Sequence, residues 1–177
     1  MRFLILVLVA LGALMIDATA ASAAEVPAYI GRHVTTPEDQ RAIGQVVTDF
    51  QTALKTKNIR LLASLMVNAD LPWVSPGSPD GVKKARASHD PNANGLYAGG
   101  FYEFARFVQD SKVPVEERFY NVKITQDKHV AWVMFDYEFV EDGKVGNYGV
   151  ETWQMMKNFE GKWKIASVWW SSTNLAP

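Results

Sequence analysis

The chain has 177 residues, a formal net charge of −1 at pH 7 and no cysteine. Without cysteine there is no disulfide and no lipid attached through a thiol, so the fold depends on its hydrophobic core alone. Its 18 Lys and Arg residues nearly balance its 19 Asp and Glu residues and form no basic stripe, so nucleic acid is not an expected partner.

Residues 1–23 have the pattern of a secretory signal peptide. Arg2 precedes a short apolar run from Phe3 to Ile16, and the small residues of a cleavage site follow it. The run is shorter than the roughly 20 apolar residues that a membrane-spanning helix needs. We therefore expect cleavage after Ala23, with Ala20 and Ala24 as alternatives. The mature protein would be exported to the periplasm or secreted, with no membrane attachment.

The remaining length suits one domain. Residues 24–35 are interpreted as an N-terminal tether and residues 36–177 as a single domain. Thr36 can cap a helix that has Pro37 at its first position and runs to about Lys57. The apolar positions of this helix recur at helical spacing, which predicts one buried face: Ile43, Val46, Val47, Phe50, Ala53 and Leu54.

Two more helices and a short strand are predicted next. Asn58 caps a second, shorter helix, and residues 71–75 are predicted to form a strand. Residues 76–95 are predicted to be a long irregular stretch, with a mobile surface loop favoured over a functional lid. Residues 99–112 again show helical periodicity, and Pro114 ends that helix.

The last third of the chain predicts four consecutive strands, at about 115–125, 129–141, 144–159 and 162–172. Asp142-Gly143 and Glu160-Gly161 separate long runs of β-forming residues, and glycine supplies the positive φ of a hairpin turn. Together with the preceding helices, this block predicts an α+β fold. A curved mixed or antiparallel sheet would pack on three helices around a pocket.

This order of elements resembles the nuclear transport factor 2-like superfamily, a cystatin-like α+β cone. Its members include ketosteroid isomerases, SnoaL-like polyketide cyclases and limonene epoxide hydrolase. The resemblance is carried by residues 49–58 with 61–66, by 73–77 and by 161–165. It implies a back-to-back homodimer through the sheet. It implies no particular activity, because this fold hosts unrelated functions.

The catalytic groups of two enzyme classes in this superfamily are absent at the matching positions. The ketosteroid isomerases imply a tyrosine on the first helix, where this chain has Phe50. They also imply an aspartate base on the first strand, where the match falls on Val74 or Ser75. Limonene epoxide hydrolase implies an Asp-Arg-Asp arrangement, but the strands offer only Arg118 without an acidic pair on its face.

Pairing Glu141 with Lys144 and Phe159 with Lys162 across the two turns sorts the strand residues into two faces, because side chains alternate along a strand. The face assigned to the helices and the pocket contains Ala131, Val133, Phe135, Tyr137, Phe139, Tyr148, Val150, Thr152, Gln154, Met156, Trp163, Ile165, Ser167 and Trp169. The face assigned outward, to a dimer partner or to solvent, contains Trp132, Met134, Asp136, Glu138, Asn147, Glu151, Trp153, Lys164, Val168 and Trp170.

A pocket lined by aromatic and polar side chains is predicted, because ligand sites are mostly apolar with a few placed polar groups. A fully packed core is the alternative. The candidate pocket residues are Trp73, Tyr97, Tyr102, Tyr137, Tyr148, Gln154 and Trp169.

Three strand carboxylates, Asp136, Glu138 and Glu151, are candidates for acid–base catalysis. On a face assigned outward, ion pairs or water account for them more simply. His89 beside Asp90 lacks the further ligands of a metal site, and His33 and His129 are interpreted as solvated residues. No metal or cofactor is expected.

The favoured hypothesis is an exported domain that binds a small apolar or aromatic ligand without converting it. One alternative is a SnoaL-like isomerase, cyclase or hydratase that uses the strand carboxylates. Another is a non-catalytic dimerisation or interaction module. An acid at the floor of a pocket would favour the enzyme. A dry aromatic pocket would favour the binding protein, and a core with no cavity would favour the interaction module.

Overall fold

The computed structural model describes residues 25–175, so the predicted signal peptide and its cleavage sites lie outside the described residues. The chain divides into a unit that ends at Arg32 and a unit that begins at His33. In the first unit, a turn is closed by a hydrogen bond from Ile30 N to the carbonyl oxygen of Pro27 at 2.9 Å. All elements below belong to the second unit, and no helix in the described range is long and apolar enough to cross a membrane.

The first two helices begin where the sequence predicts. Helix α1, Pro37–Lys55, is capped by Thr36, whose Oγ1 accepts a hydrogen bond from Asp39 N at 3.1 Å. Helix α2, Ile59–Ser64, is capped by Asn58, whose Oδ1 accepts from Leu61 N at 3.0 Å. These side chains satisfy backbone N–H groups that have no partner within a helix.

A helix lies within residues 76–95, the stretch predicted to be irregular, and that prediction was wrong there. Strand β1, Trp73–Pro76, is followed by helix α3, Pro79–Ser88, and by strand β2, Leu96–Gly99. Ser78 Oγ accepts a hydrogen bond from Gly81 N at 3.1 Å and so caps α3. No residue of α3 is buried, so it has no apolar face from which periodicity could predict it. Helix α4, Phe101–Asp110, corresponds to the third predicted helix.

The strands form one mixed sheet of seven strands within the described residues. Four are long: β3, Val115–Asp127; β4, Val130–Glu141; β5, Lys144–Lys157; and β6, Trp163–Trp170. The order is β2-β1-β6-β5-β4-β3, and a short β7, Thr173–Asn174, pairs with β5. Only the β1–β6 pair is parallel among these strands. The predicted α+β class is confirmed, with four described helices where the sequence predicted three.

Helices α1 and α4 pack on one face of the sheet, called the inner face below. Phe50 of α1 is fully buried, and its ring centroid lies 5.0 Å from that of Trp153 on β5. Trp73 of β1 and Phe104 of α4 are also 5.0 Å apart by ring centroid. These contacts place the aromatic core between the helices and the inner face.

A bulge in β5 decides which of its residues face inward. Val140 pairs with Val145, but the next pair is Phe139 with Asn147, so Gly146 is an extra residue in β5. One extra residue moves every later side chain to the opposite face. The predicted faces of β5 beyond Gly146 were therefore wrong. Asn147, Glu151 and Trp153 face inward, whereas Tyr148, Val150, Thr152, Gln154 and Met156 face outward.

Two further irregularities set the faces of β6. The turn before it has three residues, because Asn158 N bonds to the carbonyl oxygen of Lys162 at 2.9 Å. The predicted turn had two residues. The one extra residue in the turn cancels the extra residue at Gly146, so Trp163 and Ile165 are buried as predicted. A bulge at Ala166 then reverses the end of the strand. There the prediction was wrong: Val168 and Trp170 face inward, and Ser167 and Trp169 face outward.

Candidate functional site

A cavity of about 190 Å³ lies between α4 and the inner face of the sheet. Its apolar wall is aromatic: Trp73, Phe104, Phe107, Phe139 and Trp170. Its polar lining consists of Glu117, Tyr137, Asn147, Glu151 and Ser172, and no Lys, Arg or His of the described chain lines it. The fold therefore contains neither a filled core nor a dry aromatic pocket at this place.

Glu117 is one of two acids in the cavity lining. It lies on β3 at the alternate position between Val115 and Phe119, which belong to the core or pack on it. Its side chain is buried, and its Oε2 has no hydrogen-bond partner among residues 25–175. Burial, reinforced by negative charge on Glu151, raises the pKa of Glu117 well above its ordinary value. Glu117 therefore keeps its proton to a higher pH than an ordinary glutamate does.

Glu151, on β5, is the second acid. The bulge at Gly146 turns its side chain inward, where it is 4% exposed. Burial raises the pKa of Glu151 to about 8, and a hydrogen bond from Trp153 opposes that rise by stabilising the carboxylate. The donor is the indole Nε1–H of Trp153, at 2.5 Å from Glu151 Oε1. Because only Glu151 has such a donor, it loses its proton before Glu117 does.

The strand register places Tyr137 between the two acids. Glu117 pairs with Phe139, two residues beyond Tyr137 on β4. Tyr137 pairs with Gly149, two residues before Glu151 on β5. The three side chains thus form a diagonal across β3, β4 and β5, and no hydrogen bond joins the two carboxyl groups directly within the described part of the chain.

Tyr137 lies among the polar residues of the cavity lining. Its hydroxyl oxygen lies 3.0 Å from Asn147 Oδ1 and 3.0 Å from the carbonyl oxygen of Ser171. A hydroxyl has one hydrogen, so it donates to one of these acceptors at a time. Burial raises the pKa of Tyr137 to about 12, and negative charge on Glu117 or Glu151 contributes to the rise. Tyr137 therefore remains a neutral hydroxyl that orients Asn147.

Two carboxyl groups of unequal acidity on one cavity can divide the roles of acid and base. Once Glu151 has lost its proton, a ligand between them would meet Glu151 as a proton acceptor and Glu117 as a hydrogen-bond or proton donor. The arrangement can therefore transfer a proton to or from a bound molecule.

Comparison with known proteins settles the fold. No family model and no curated protein matches the chain. A nuclear transport factor 2-like protein of unknown function from Shewanella baltica matches with a TM-score of 0.59 and 14% identity, over 80% of this chain and 99% of that one. A protein of unknown function with a cystatin-like fold from Nostoc punctiforme matches with a TM-score of 0.56 and 13% identity, over 80% and 96%. The chain has the nuclear transport factor 2-like fold.

A third solved structure carries an enzyme name. It is a protein from Novosphingobium aromaticivorans, provisionally named a scytalone dehydratase, with a TM-score of 0.56 and 15% identity over 79% of this chain and 89% of that one. Identities this low establish the nuclear transport factor 2-like fold alone. Activity has to be argued from the residues of the site.

In this nuclear transport factor 2-like fold, the two acids of the cavity lie on β3 and β5. The position that matches the isomerase tyrosine, Phe50, is fully buried against Phe104, Phe119 and Trp153. Among residues 25–175, the Ser75 hydroxyl makes one hydrogen bond, which it donates to the neighbouring carbonyl oxygen of Pro76 at 3.2 Å. The isomerase positions therefore contribute no acid or base here.

Two of the seven predicted pocket residues, Trp73 and Tyr137, line the cavity. Tyr148 and Trp169 are 43% and 53% exposed on the outer face, and Gln154 also faces outward. The bulges at Gly146 and Ala166 account for these three misplacements. Tyr97 and Tyr102 are exposed, on β2 and α4 respectively, and do not line the cavity either.

Of the three predicted carboxylates, only Glu151 lines the cavity. Asp136 accepts a hydrogen bond from Asn121 Nδ2 at 2.6 Å, on the outer face. Glu138 accepts one from the Tyr120 hydroxyl at 2.9 Å and forms an ion pair with Arg118 at 3.7 Å. The prediction that Glu151 shares a face with Asp136 and Glu138 was wrong, because the bulge separates them.

Glu117 was not predicted at all. The available signal was its place in Val115-Glu-Glu-Arg-Phe119, where Val115 and Phe119 mark alternate inward positions and Glu117 is the acid between them. Outside the cavity, His89 hydrogen-bonds Ser88 at the end of α3. No cluster of three or more His, Asp or Glu side chains able to hold a metal ion occurs in the described range.

Proposed function

We propose that this protein binds a small molecule in the cavity and catalyses a proton transfer on it, as in an isomerisation or a dehydration. The observation that carries the proposal is the pair of buried carboxyl groups, Glu117 and Glu151, on one aromatic cavity. A buried polar atom without a partner, such as Glu117 Oε2, lowers stability. Strongly shifted pKa values in a cavity are typical of catalytic sites.

The two acids have different roles in this proposal. Glu151, whose carboxylate is stabilised by Trp153, is the base that removes a proton from the bound molecule. Glu117, which keeps its proton to higher pH, is the acid that donates to a ligand oxygen. In an isomerisation the proton held by Glu151 returns to another carbon. In a dehydration Glu117 protonates a leaving hydroxyl group, which departs as water.

The name of one similar structure favours dehydration. The Novosphingobium aromaticivorans protein is provisionally named a scytalone dehydratase. That name belongs to the other protein, and a shared fold transfers no residue role to this chain. It supports the choice of reaction class only, and the residues proposed here are argued from their own geometry.

Incorporation of deuterium from the solvent into a bound ligand tests the proposal, and this test does not require the product to be known. The protein is incubated in deuterated water with a panel of cyclic ketones, enols and hydroxyketones, and deuterium uptake and water loss are measured by mass spectrometry. Glu117→Gln and Glu151→Gln should each slow the reaction by about 100-fold or more, the usual contribution of one general acid or base. Asp136→Asn, on the outer face, is the matched control and should keep full activity. Full activity in both Gln variants would refute the proposal.

Binding without turnover, the function that the sequence favoured, is the second candidate. The five aromatic side chains of the wall support it, because they can hold an apolar ligand without any acid. In that case ligands would raise the melting temperature. The Gln variants would change affinity, and no deuterium would enter the ligand.

We further propose that the mature protein is exported and forms a homodimer through the outer face of the sheet. Export is supported by the pattern of residues 1–23. The dimer is supported by apolar side chains about half exposed on the outer face, since such patches mark protein interfaces: Trp132, Met134, Met156 and Trp169.

A further inference from the structure

We propose that the ligand of the cavity is an uncharged molecule with a single six-membered ring and a carbonyl or hydroxyl oxygen that hydrogen-bonds Glu117. That this ligand is also a substrate rests on the proton transfer proposed above. Its size, charge and functional group each follow from a separate feature of the cavity.

The cavity volume sets the size of the ligand. An apolar protein cavity of about 150 Å³ holds benzene. The 190 Å³ found here therefore accommodates one six-membered ring with one or two small substituents. A second fused ring would exceed this volume and would have to protrude from the cavity.

The titratable side chains set the charge of the ligand. Within the described lining these are Glu117, Tyr137 and Glu151, with no cationic side chain among them. An anionic ligand would meet two acids and no counter-ion, and an unpaired buried charge is strongly unfavourable. An organic cation is the main competitor, because aromatic faces attract cations. It has no lone pair to accept a hydrogen bond from a protonated carboxyl group.

Charged groups outside the cavity do not change the charge expected of the ligand. Lys55, Glu116 and Arg118 share a separate surface groove with Glu117, between α1 and β3. Arg118 and Glu116 form an ion pair with each other at 2.6 Å. The pKa of Glu117 is raised by its burial and by Glu151, and none of these three groups contributes.

Glu117 sets the functional group of the ligand. Its buried Oε2 has no hydrogen-bond partner in residues 25–175. Buried polar atoms are almost always hydrogen-bonded. Because Glu117 lines the cavity, we expect its carboxyl group to turn toward a bound ligand that supplies the missing partner. A protonated carboxyl group donates, which requires an acceptor such as a carbonyl or hydroxyl oxygen. Glu151 Oε1 already accepts from Trp153, which leaves the other Glu151 oxygen as the group that can take a proton.

Calorimetric titration with four probes tests the ligand class. They are 2-cyclohexen-1-one, the two-ring ketone 1-tetralone, the anion cyclohexanecarboxylate and the cation phenyltrimethylammonium. At pH 6 the one-ring ketone should bind at least about tenfold more tightly than the other three, a difference of the size that one good hydrogen bond makes. Its affinity should fall as the pH rises past about 8, where Glu151 becomes charged. A cation would show the opposite trend.

Two variants locate the contact. Glu117→Leu should weaken binding of the one-ring ketone about tenfold, the loss of one hydrogen bond. Because it removes a buried acid from an apolar site, it should fold at least as stably. Glu116→Leu, one residue away on the opposite side of β3, should leave the affinity unchanged.

The inference is overturned if phenyltrimethylammonium binds more tightly than the ketone, if the anion or 1-tetralone binds equally well, or if no probe binds. It is also overturned if Glu117→Leu binds the ketone as the natural protein does. Tight binding of 2-cyclohexen-1-one without deuterium exchange would support the ligand class and refute the proposed catalysis. The two proposals therefore fail separately.

Discussion

Trp153 donates its indole N–H to Glu151 Oε1 over 2.5 Å, and both side chains are almost completely buried on the inner face of β5. They are two residues apart on one strand, so the strand itself fixes their relative position. This contact distinguishes the two cavity acids, because Glu117 has no equivalent donor within the described residues.

Trp153→Phe removes this donor and keeps an aromatic ring in the core. A hydrogen bond to a charged group contributes about 1.5 to 3 kcal/mol, so the pKa of Glu151 should rise by roughly one to two units. Carboxyl chemical shifts in a ¹³C NMR titration measure that pKa, and the acidic limb of activity, along which the base loses its proton, should move with it. Trp163→Phe is the matched control, because its lost N–H bonds to Asp39 at 3.0 Å, away from the cavity. An unchanged Glu151 titration in Trp153→Phe would show that this contact does not set the acidity.

Stability should decrease from about pH 5 to pH 9. Glu151 has a folded pKa of about 8 against an ordinary value of 4.5, so the folded state holds a proton that the unfolded state releases. Its contribution to stability is complete below pH 4.5 and is lost as the pH rises through about 8. Glu117 acts in the same direction, because its pKa is also raised. Melting temperatures across this range measure the effect.

A Gln substitution at either acid isolates this pH dependence. Glu151→Gln cannot ionise, so its melting temperature should change less with pH than that of the natural protein. Asp136→Asn, whose carboxylate lies on the outer face, should keep the full dependence. Equal slopes for all three proteins would mean that the cavity acids ionise normally in the folded state.

The outer face of the sheet should form a homodimer. Trp169, which is 53% exposed there, should become buried in it. Trp169→Glu places a charge in that interface and should raise the dissociation constant at least about tenfold, since burying an unpaired charge is unfavourable. Tyr102→Glu, on α4 and 67% exposed, is the control and should dimerise normally. Sedimentation velocity reads out the mass, and a natural protein that is monomeric at micromolar concentration would refute the dimer.

The mature protein should begin at Ala24. Expression in a bacterium with intact secretion, followed by N-terminal sequencing of the exported fraction, identifies the first residue. Ala23→Arg should block cleavage, because the cleavage site requires small residues. Recovery of a membrane-bound protein that still contains residues 3–16 would contradict the prediction.

Local signals in the sequence were enough for the class of fold and for most of its elements. Thr36 and Asn58 predicted the starts of α1 and α2, because capping is a contact between near neighbours in the chain. The alternation of β4 predicted that Val133, Phe135 and Tyr137 are buried. The prediction held because the pairing of β4 with β5 keeps one register from Val130 to Phe139.

Only the tertiary structure decided the site. Glycine has no side chain to mark a face, so nothing in Val145-Gly146-Asn147 shows whether Gly146 continues the pleat or adds a residue to it. That one residue moves Glu151 and Trp153 to the inner face and Tyr148 to the outer face. Glu117 and Glu151 then share a cavity because β4 pairs with both of their strands, a relationship between residues far apart in the chain. The sequence by itself determined most of the helices and strands, though not α3 or β2, whereas the pairing of distant strands determined which acids meet.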